Sequence, residues 1–512
     1  MQRKLDSLSS SGMHAFKETT LPPGEKTVGL KWVFALKTDA DGARIEGKEK
    51  ARVVAQGFNQ RPMQYNETYA PVACGASVRI ILAFATVKNL EVLQFDCKIA
   101  FLHAKLRHTV YAHIFPGYIM QNPGTGKVLR LLVALYGLRQ SAYKFYMLLL
   151  CLFLGLGLKH CEADHGVFYD KWMTLPDSSI LMPKDGSPLI LLVPLHVDDG
   201  LGVTNSKPLY QWFLCTLSSS FNIVDMGKCG KFLGMVIIRD KPNRRLWLLA
   251  HVYIAELLEE WNLTNCKTAK TPFPSKPPDV SGSVPLPEIS DAKLLPKYQR
   301  LVGCILFICN LCPEVAFPAM WLGQHASLPK RIYLLYAKHV LRYLAGTKYL
   351  SLCLGQASPS APQSMTSFMQ ANGCTDADWA SDTSDRKSVS GYAFFFLGSL
   401  ILWSAVKQKC VTLLSMEAEY YAMSHAFKEA LWLCVFLCSI DLPVPHPFPI
   451  RSDNQVACTL SELPAIFQHS KHIDICHHFI CKHVREDSFL TTWIPIQDMP
   501  ADIFTKALGP VR

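Results

Sequence analysis

The sequence predicts a multidomain chain of the α+β and α/β classes, and three observations predict it. Its 512 residues are enough for about three domains at roughly 150 residues each. Hydrophobic residues make up 49% and charged residues 18%, so there is apolar surface for packed cores, and a mainly disordered chain is excluded. The last stretch, about 140 residues, reads strand, strand, strand, helix, strand, helix, strand, the order of an α/β unit with a mixed sheet.

The elements follow from local pattern. Residues 28–38 (VGLKWVFALKT) mix β-branched and aromatic residues and stop at DADG, where Asp41-Gly42 signals a hairpin. KEKARVVAQGF at 48–58 reads as the returning strand. Residues 77–88 have helical spacing behind a capping Ser77. LEVLQFD at 90–96 is a strand ending in a carboxylate, and 141–158 a buried helix. PLILLVPLHV at 188–197 is a strand running into Asp198-Asp199-Gly200, with Pro194 awkward because it lacks a ladder donor. Seven prolines mark 268–297 as a linker, followed by helices at 298–321 and 330–345. The Pro-, Ser- and Gln-rich stretch 355–371 is a second linker. Beyond it strands are expected around 372–379, 389–397, 400–406, 448–452 and 489–495, with helices at 415–433, 472–484 and 499–506.

Composition narrows the partners. The balance of 52 Lys+Arg against 41 Asp+Glu gives +11, which permits a polyanionic partner without establishing one. The apolar stretches Phe145–Leu158 and Gly391–Val406 fall short of the ~20 residues of a membrane helix and read as core. The opening MQRKLDSLSSSGMHAFKETT is polar and lacks a signal region. Eighteen irregularly spaced cysteines are read as reduced thiols of an intracellular protein.

Acidic residues at strand ends carry the chemistry. Asp96 ends one apolar strand; Asp198 and Asp199 end another, 102 residues later. Adjacent carboxylates raise each other's pKa, and a divalent ion relieves the repulsion. Three on neighbouring strand ends could hold two hard cations about 3.5–4 Å apart, a clamp for phosphoryl transfer.

The chain resembles the polymerase and ribonuclease H part of a copia-type retrotransposon polyprotein. The matching segments, in order, include KWVFALKTDADG, KARVVAQGFNQ, LQFDCKIAFLHAKL, ALYGLRQSAYKF, HVDD, FNIVDMGKCGKFLG and AKHVLRYLAGT over about 25–350. GCTDADWASDTSDRKSVSGYAFFF, LSMEAEYYAMSHAFKEALWL, SDNQVA, KHIDICHHFI and PADIFTKALG follow over about 373–509. The resemblance implies a right-hand polymerase (fingers, palm, thumb) followed by a ribonuclease H-like mixed sheet with helices. The segments would be 1–267 (fingers, palm and start of thumb), 268–354 (Pro-rich link and helical thumb or connection), the linker 355–371, and 372–512 (the nuclease unit).

Roles carry over as implications of that resemblance. Asp96, Asp198 and Asp199 resemble the palm acids that hold two Mg²⁺, or Mn²⁺, for nucleotide addition. Lys37, Lys50 and Arg52 fall in the fingers hairpin and could meet the triphosphate of a dNTP. Gln140, in GLRQSA, could hydrogen-bond a base or sugar, and 226–234 looks like the turn that grips a primer end. Asp376, Glu419, Asp453 and Asp502 resemble the metal-holding acids of the nuclease. Glu417 and Glu419 lie about 200° apart around a helix, so only one can face the metals, and the motif picks Glu419. Asp376 and Asp378 share a strand side, and the motif picks Asp376. KHIDICHHFICKH offers His472, Cys476, His477, His478, Cys481 and His483, residues that suit zinc. The family pattern needs no metal there, and a basic or aromatic helix is the preferred reading.

The implied partners are an RNA template, a DNA primer and an RNA–DNA hybrid, with no membrane. The implied location is a cytoplasmic particle or the nucleus. The sequence departs from the family at His196 (usually Tyr), Leu132-Val133 (usually lysines), Ala142-Tyr143 (usually Pro-Arg), Met416, Cys476, His477 and Cys481. Several of these losses remove positive charges that touch phosphate. The expectation is therefore a polyprotein fragment or genomic remnant with both activities. The alternative is a catalytically impaired remnant that only binds nucleic acid.

Overall fold

The computed structural model describes residues 14–38, 44–120, 124, 126–172, 186–274, 294–355, 371–382, 385–462 and 471–509. The expected turn at Asp41-Gly42 and most of the two linkers (275–293 and 356–370) lie outside the described residues, as do the side chains of Lys37, Lys50 and His472. The chain divides into two compact units, Met1–Ser77 with Leu90–Cys229, and Val78–Asn89 with Gly230–Arg512. These units are coarser than the four segments expected from sequence.

The first unit is built on a six-stranded sheet in the order Ile223–Lys228, Glu91–Cys97, Asp199–Thr204, Leu189–His196, Val167–Trp172, Lys159–His160. The apolar runs of its central strands are buried, as the absence of polar alternation demands. Helices Ser141–Gly155 and Lys207–Ser218 supply the other side of the core, where Phe95, Phe145, Phe153, Phe168 and Phe213 meet. Pro194 is accommodated because it takes the last register position against the neighbouring strand, opposite Val167, and the Leu195 N–H bonds Gly166 O instead. A second sheet orders Phe16–Thr20, Lys127–Val133, Lys105–Ala112 and Thr27–Val28; Leu30–Thr38 and Arg44–Ala55 form the expected two-stranded ribbon. The helix expected from Ser77 starts at Gly75. Ser77 does not cap it; its hydroxyl donates to Asp164 Oδ2 at 2.6 Å, and the same oxygen accepts the Cys74 N–H at 2.9 Å. A carboxylate 90 residues downstream of Cys74 thus serves that end of the helix.

The second unit carries the C-terminal sheet in the order Ser399–Lys407, Val389–Phe396, Asn372–Asp378, Phe448–Ser452, Phe489–Trp493. The first three strands run antiparallel, and the last two join in parallel. Helix Ser415–Ser439 packs on this sheet, and Lys471–Arg485 packs on that helix. Helix Gln455–Glu462 and strand Leu352–Gly355 are additions the sequence reading lacked. The helix expected over 298–321 is broken into Leu294–Ile308 and Ala316–Gln324 by a 3₁₀ turn at Pro313–Val315, where Pro313 has no N–H to give. Residues on both sides of the expected 355–371 linker pack together. Trp403 Nε1 donates to Cys309 O at 3.0 Å, and Arg79 lies over the Trp403 ring while donating to Ile401 O and Asn310 O.

Candidate active site

In the first unit the sheet brings two of the three expected aspartates face to face. Asp199 sits opposite Asp96 in antiparallel register, so both project from one side of adjacent strands. Asp198 occupies the two-residue turn that closes between His196 and Asp199. Val197, before it, has φ +61°, a left-handed conformation that is costly for a β-branched residue. The Cys97 N–H donates to Asp198 O at 3.0 Å and ties the turn to the strand of Asp96. Gly200 is required at its place, because a Cβ there would lie 2.2 Å from the Phe95 ring.

The surroundings respond to these charges. Burial, reinforced by Asp96 and Asp198, pushes the Cys97 thiol up to about 12. Burial and then Asp198 also push the Tyr136 hydroxyl up to about 12. The Arg52 guanidinium lies 5.2 Å from the Tyr136 ring centroid. Tyr136 thus lies within electrostatic reach of both Arg52 of the two-stranded ribbon and Asp198 and Asp96 of the sheet, a link made by tertiary packing and so not legible in the sequence. Gln140 is 2% exposed, and its amide is engaged inside the protein: it accepts from Gln60 Nε2 at 3.0 Å and donates to Gln64 O at 3.3 Å. Its place is as a brace between these segments.

In the second unit the carboxylates of Asp376, Glu419 and Asp453 offer oxygens within 4.8 Å of one another, the one such ligand group among the described residues. The parallel register sets Gly373 opposite Ile450 and Cys374 opposite Arg451, which brings Asp376 level with Asp453 beyond the strand end. Glu419 comes from the first turns of helix Ser415–Ser439. Glu417 faces elsewhere: its carboxylate accepts the Leu413 N–H at 2.7 Å and the Leu414 N–H at 3.4 Å at the start of the helix. Asp502 stands beside the trio, held by Lys506 Nζ at 2.7 Å, which is also 4.0 Å from Asp376. The i,i+4 spacing of Asp502 and Lys506 was the sequence signal for that pair.

These acids are set for a cation. Burial raises the Asp376 carboxyl to about 7, reinforced by Asp453 and Asp502 and opposed by the Thr505 hydroxyl and Lys506. Burial raises Glu419 well above its usual range, with Asp376 and Asp453 adding to it. Asp453 is raised by burial and then by Asp502. Glu419 Oε2 is buried with no hydrogen-bond partner among the described residues. Clustered hard oxygen donors, one of them orphaned, fit Mg²⁺ or Mn²⁺.

A stability prediction follows. A carboxyl raised in the folded state stabilises below its unfolded pKa, near 3.8 for Asp, and that contribution is lost as pH rises through about 7. Metal-free protein should lose melting temperature between about pH 5 and about pH 8, and Mg²⁺ should restore more at the higher pH. Equal Mg²⁺ stabilisation at both pH values would contradict the coupling.

Gly391, opposite Asp376 in the sheet, carries a second prediction. A Cβ there would meet Thr505 Cγ2 at 2.7 Å and Phe504 Cβ at 2.9 Å, so the segment bearing Asp502 packs against bare backbone. Gly391→Ala should destabilise by about 1–3 kcal/mol, read as a lower denaturant midpoint.

The zinc-like helix holds no such group among the described residues. His477 and Cys481 are both buried, with Nε2 and Sγ 3.2 Å apart. Cys309 and Cys312 form a Cys-x-x-Cys pair that the sequence reading passed over. Both thiols are pushed up by burial, the Cys309 thiol to about 12, so neither is an activated nucleophile.

Comparison with known proteins agrees with this architecture. The family model for "Reverse transcriptase (RNA-dependent DNA polymerase)" matches residues 13–275. The Retrovirus-related Pol polyprotein from transposon TNT 1-94 of Nicotiana tabacum is 32% identical over 516 residues, covering 99% of this chain and 36% of that protein. The corresponding polyproteins from transposons RE2 and RE1 of Arabidopsis thaliana are 30% and 31% identical, covering 96% and 97% of this chain and 32% of each of those proteins. The chain spans about a third of the length of these relatives. No helix among the described residues is long and apolar enough to cross a membrane. The chain belongs to the reverse transcriptase family, as the polymerase and ribonuclease H region of a copia-type retrotransposon Pol polyprotein.

Proposed function

We propose that this chain is an RNA-directed DNA polymerase with a fused RNA–DNA hybrid ribonuclease, each centre working by two-metal phosphoryl transfer. The carrying observation is the trio of buried Asp376, buried Glu419 and half-buried Asp453, with oxygens within 4.8 Å of one another. Clustered carboxylates driven this far from their usual range, with Glu419 Oε2 left without a partner among the described residues, support a ligand-binding role. When bound, Mg²⁺ or Mn²⁺ supplies Lewis-acid stabilisation and a more acidic water.

The chain's residues do the rest in the nuclease. Asp376, Glu419 and Asp453 hold the cations, with Asp502 as the fourth acid. Thr505 Oγ1 donates to Asp376, and the Ala377 N–H donates to Glu419, which orients both carboxylates. Lys506 keeps its ammonium charged although its own burial opposes this, because it is paired with Asp502 and close to Asp376. In the polymerase, Asp96, Asp198 and Asp199 hold the cations, and Arg52, held over Tyr136, meets the triphosphate of a dNTP together with Lys37 and Lys50. Primer and RNA template are the polymerase partners; an RNA–DNA hybrid is the nuclease substrate.

One assay tests this. Purified chain with Mg²⁺, a primed RNA template and a labelled hybrid should extend the primer and cut the RNA strand. Binding without product in either reaction would replace the enzyme with a nucleic-acid-binding remnant.

A further inference from the structure

Two tryptophans stand apart from the rest. Of ten in the chain, Trp379 and Trp493 are the two exposed ones among the described side chains, at 46% and 51%. Both lie in the C-terminal sheet at the end where the carboxylates gather. Trp379 follows strand Asn372–Asp378, three residues after Asp376. Trp493 ends strand Phe489–Trp493, in register with Ser452, the residue before Asp453.

Their construction is the same. Each spends its only polar group, the indole N–H, on a main-chain carbonyl. Trp379 Nε1 donates to Thr412 O at 3.2 Å, and Trp493 Nε1 donates to Asp453 O at 3.0 Å. The hydrogen bond pins one edge of each ring while about half of the side chain stays in water. A large apolar surface left in solvent is unfavourable, and a ring already fixed loses little freedom on meeting a ligand. Both rings continue into further exposed apolar residues. Val411, Leu413 and Leu414 flank Thr412 on the side of Trp379, and Ile496 follows Trp493. Each tryptophan is thus tied to a segment that carries further exposed apolar side chains.

We propose that Trp379 and Trp493 are pinned platforms on which the backbone sugars of an RNA–DNA hybrid rest across the Asp376–Glu419–Asp453 centre. Trp493 is in addition the positioning residue of Asp453. The inference rests on the nuclease reading for the identity of the occupant. A polyanion cannot dock on bare carboxylates through its phosphates alone, whereas the sugar edges that line the shallow minor groove of a hybrid are partly apolar and suit indole. A basic side chain also stands at the acids, with Lys506 Nζ 2.7 Å from Asp502 and 4.0 Å from Asp376, and Arg451 lies two residues before Asp453.

The test uses the full chain. Binding of a labelled hybrid is measured by anisotropy in Ca²⁺, and cleavage in Mg²⁺, for wild type, Trp379→Ala, Trp493→Ala and the matching Phe variants. Each Ala variant should weaken hybrid binding roughly five- to tenfold, the order expected for losing one large apolar contact. The Phe variants keep a ring and should bind within about threefold of wild type. Trp493→Phe should lower kcat more than it raises KM, because Asp453 loses its brace. In wild type, hybrid should shield tryptophan fluorescence from acrylamide, and less so in either Ala variant. Ala variants that keep the wild-type circular dichroism and bind hybrid as wild type does would overturn the proposal, even with cleavage intact. Should an Ala variant not fold, a Phe variant with unchanged kcat at position 493 and no shielding in wild type would overturn it. A wild type that binds and shields but never cuts would sink the nuclease reading alone.

Discussion

Glu419→Gln abolishes cleavage of the RNA strand in a hybrid, and Glu417→Gln does not: that is the expected result at the nuclease centre. The two residues are separated by one position and by opposite duties. Glu419 is buried, shares a site with Asp376 and Asp453, and has an oxygen without a partner among the described residues. Removing its charge weakens cation binding, and activity should fall on the order of a hundredfold or more. Glu417 holds the start of the helix through the Leu413 N–H. Gln fills the same capping position, so E417Q should cut within about twofold of wild type. The same substitution has a second signature. A buried carboxylate crowded by two others destabilises the metal-free fold, and E419Q should raise its stability by about 1 kcal/mol at pH 8, roughly 2–4 °C in melting temperature. Lost cutting together with gained stability separates a functional site from a damaged fold. A dead E417Q beside an active E419Q would reverse the face assignment.

Asp198→Asn is expected to abolish primer extension and leave hybrid cleavage intact. Asp198 occupies the strained turn beside Asp96 and Asp199 in the first compact unit, whereas the nuclease acids belong to the second. Removing one of three cation-holding carboxylates should cost at least about a hundredfold in extension. The hybrid assay on the same preparation is the internal control. Loss of both activities would mean that the substitution unfolds the chain or that the two sets of acids do not act separately.

Much of the C-terminal fold was legible because its strands are short, apolar and bounded by turn residues, and because Asp376 and Asp453 lie near the ends of two of them. Asp376 and Asp453 follow from that pattern, and the parallel register sets them level. The residues that were not legible depend on distant partners. Gln140 reads as a ligand contact until Gln60 and Gln64, 80 and 76 residues away, are seen to occupy its amide. Ser77 reads as a cap until Asp164 arrives from the other side of the fold. Helix Gln455–Glu462 contains Cys458, Thr459 and Ser461, weak helix formers whose place is set by packing rather than propensity. Pro313 was a local signal, and the helix is broken beside it, where a missing N–H is tolerated.

Direct binding of Mn²⁺ to the metal-free protein, followed by electron paramagnetic resonance at pH 7.5 in wild type and in E419Q, bears on the central claim without depending on turnover. The trio of Asp376, Glu419 and Asp453 predicts Mn²⁺ binding by wild type that weakens by at least about tenfold in E419Q and stays unchanged in E417Q. Equal binding by all three proteins would show that these carboxylates do not form the cation site, and the account built on them would fall.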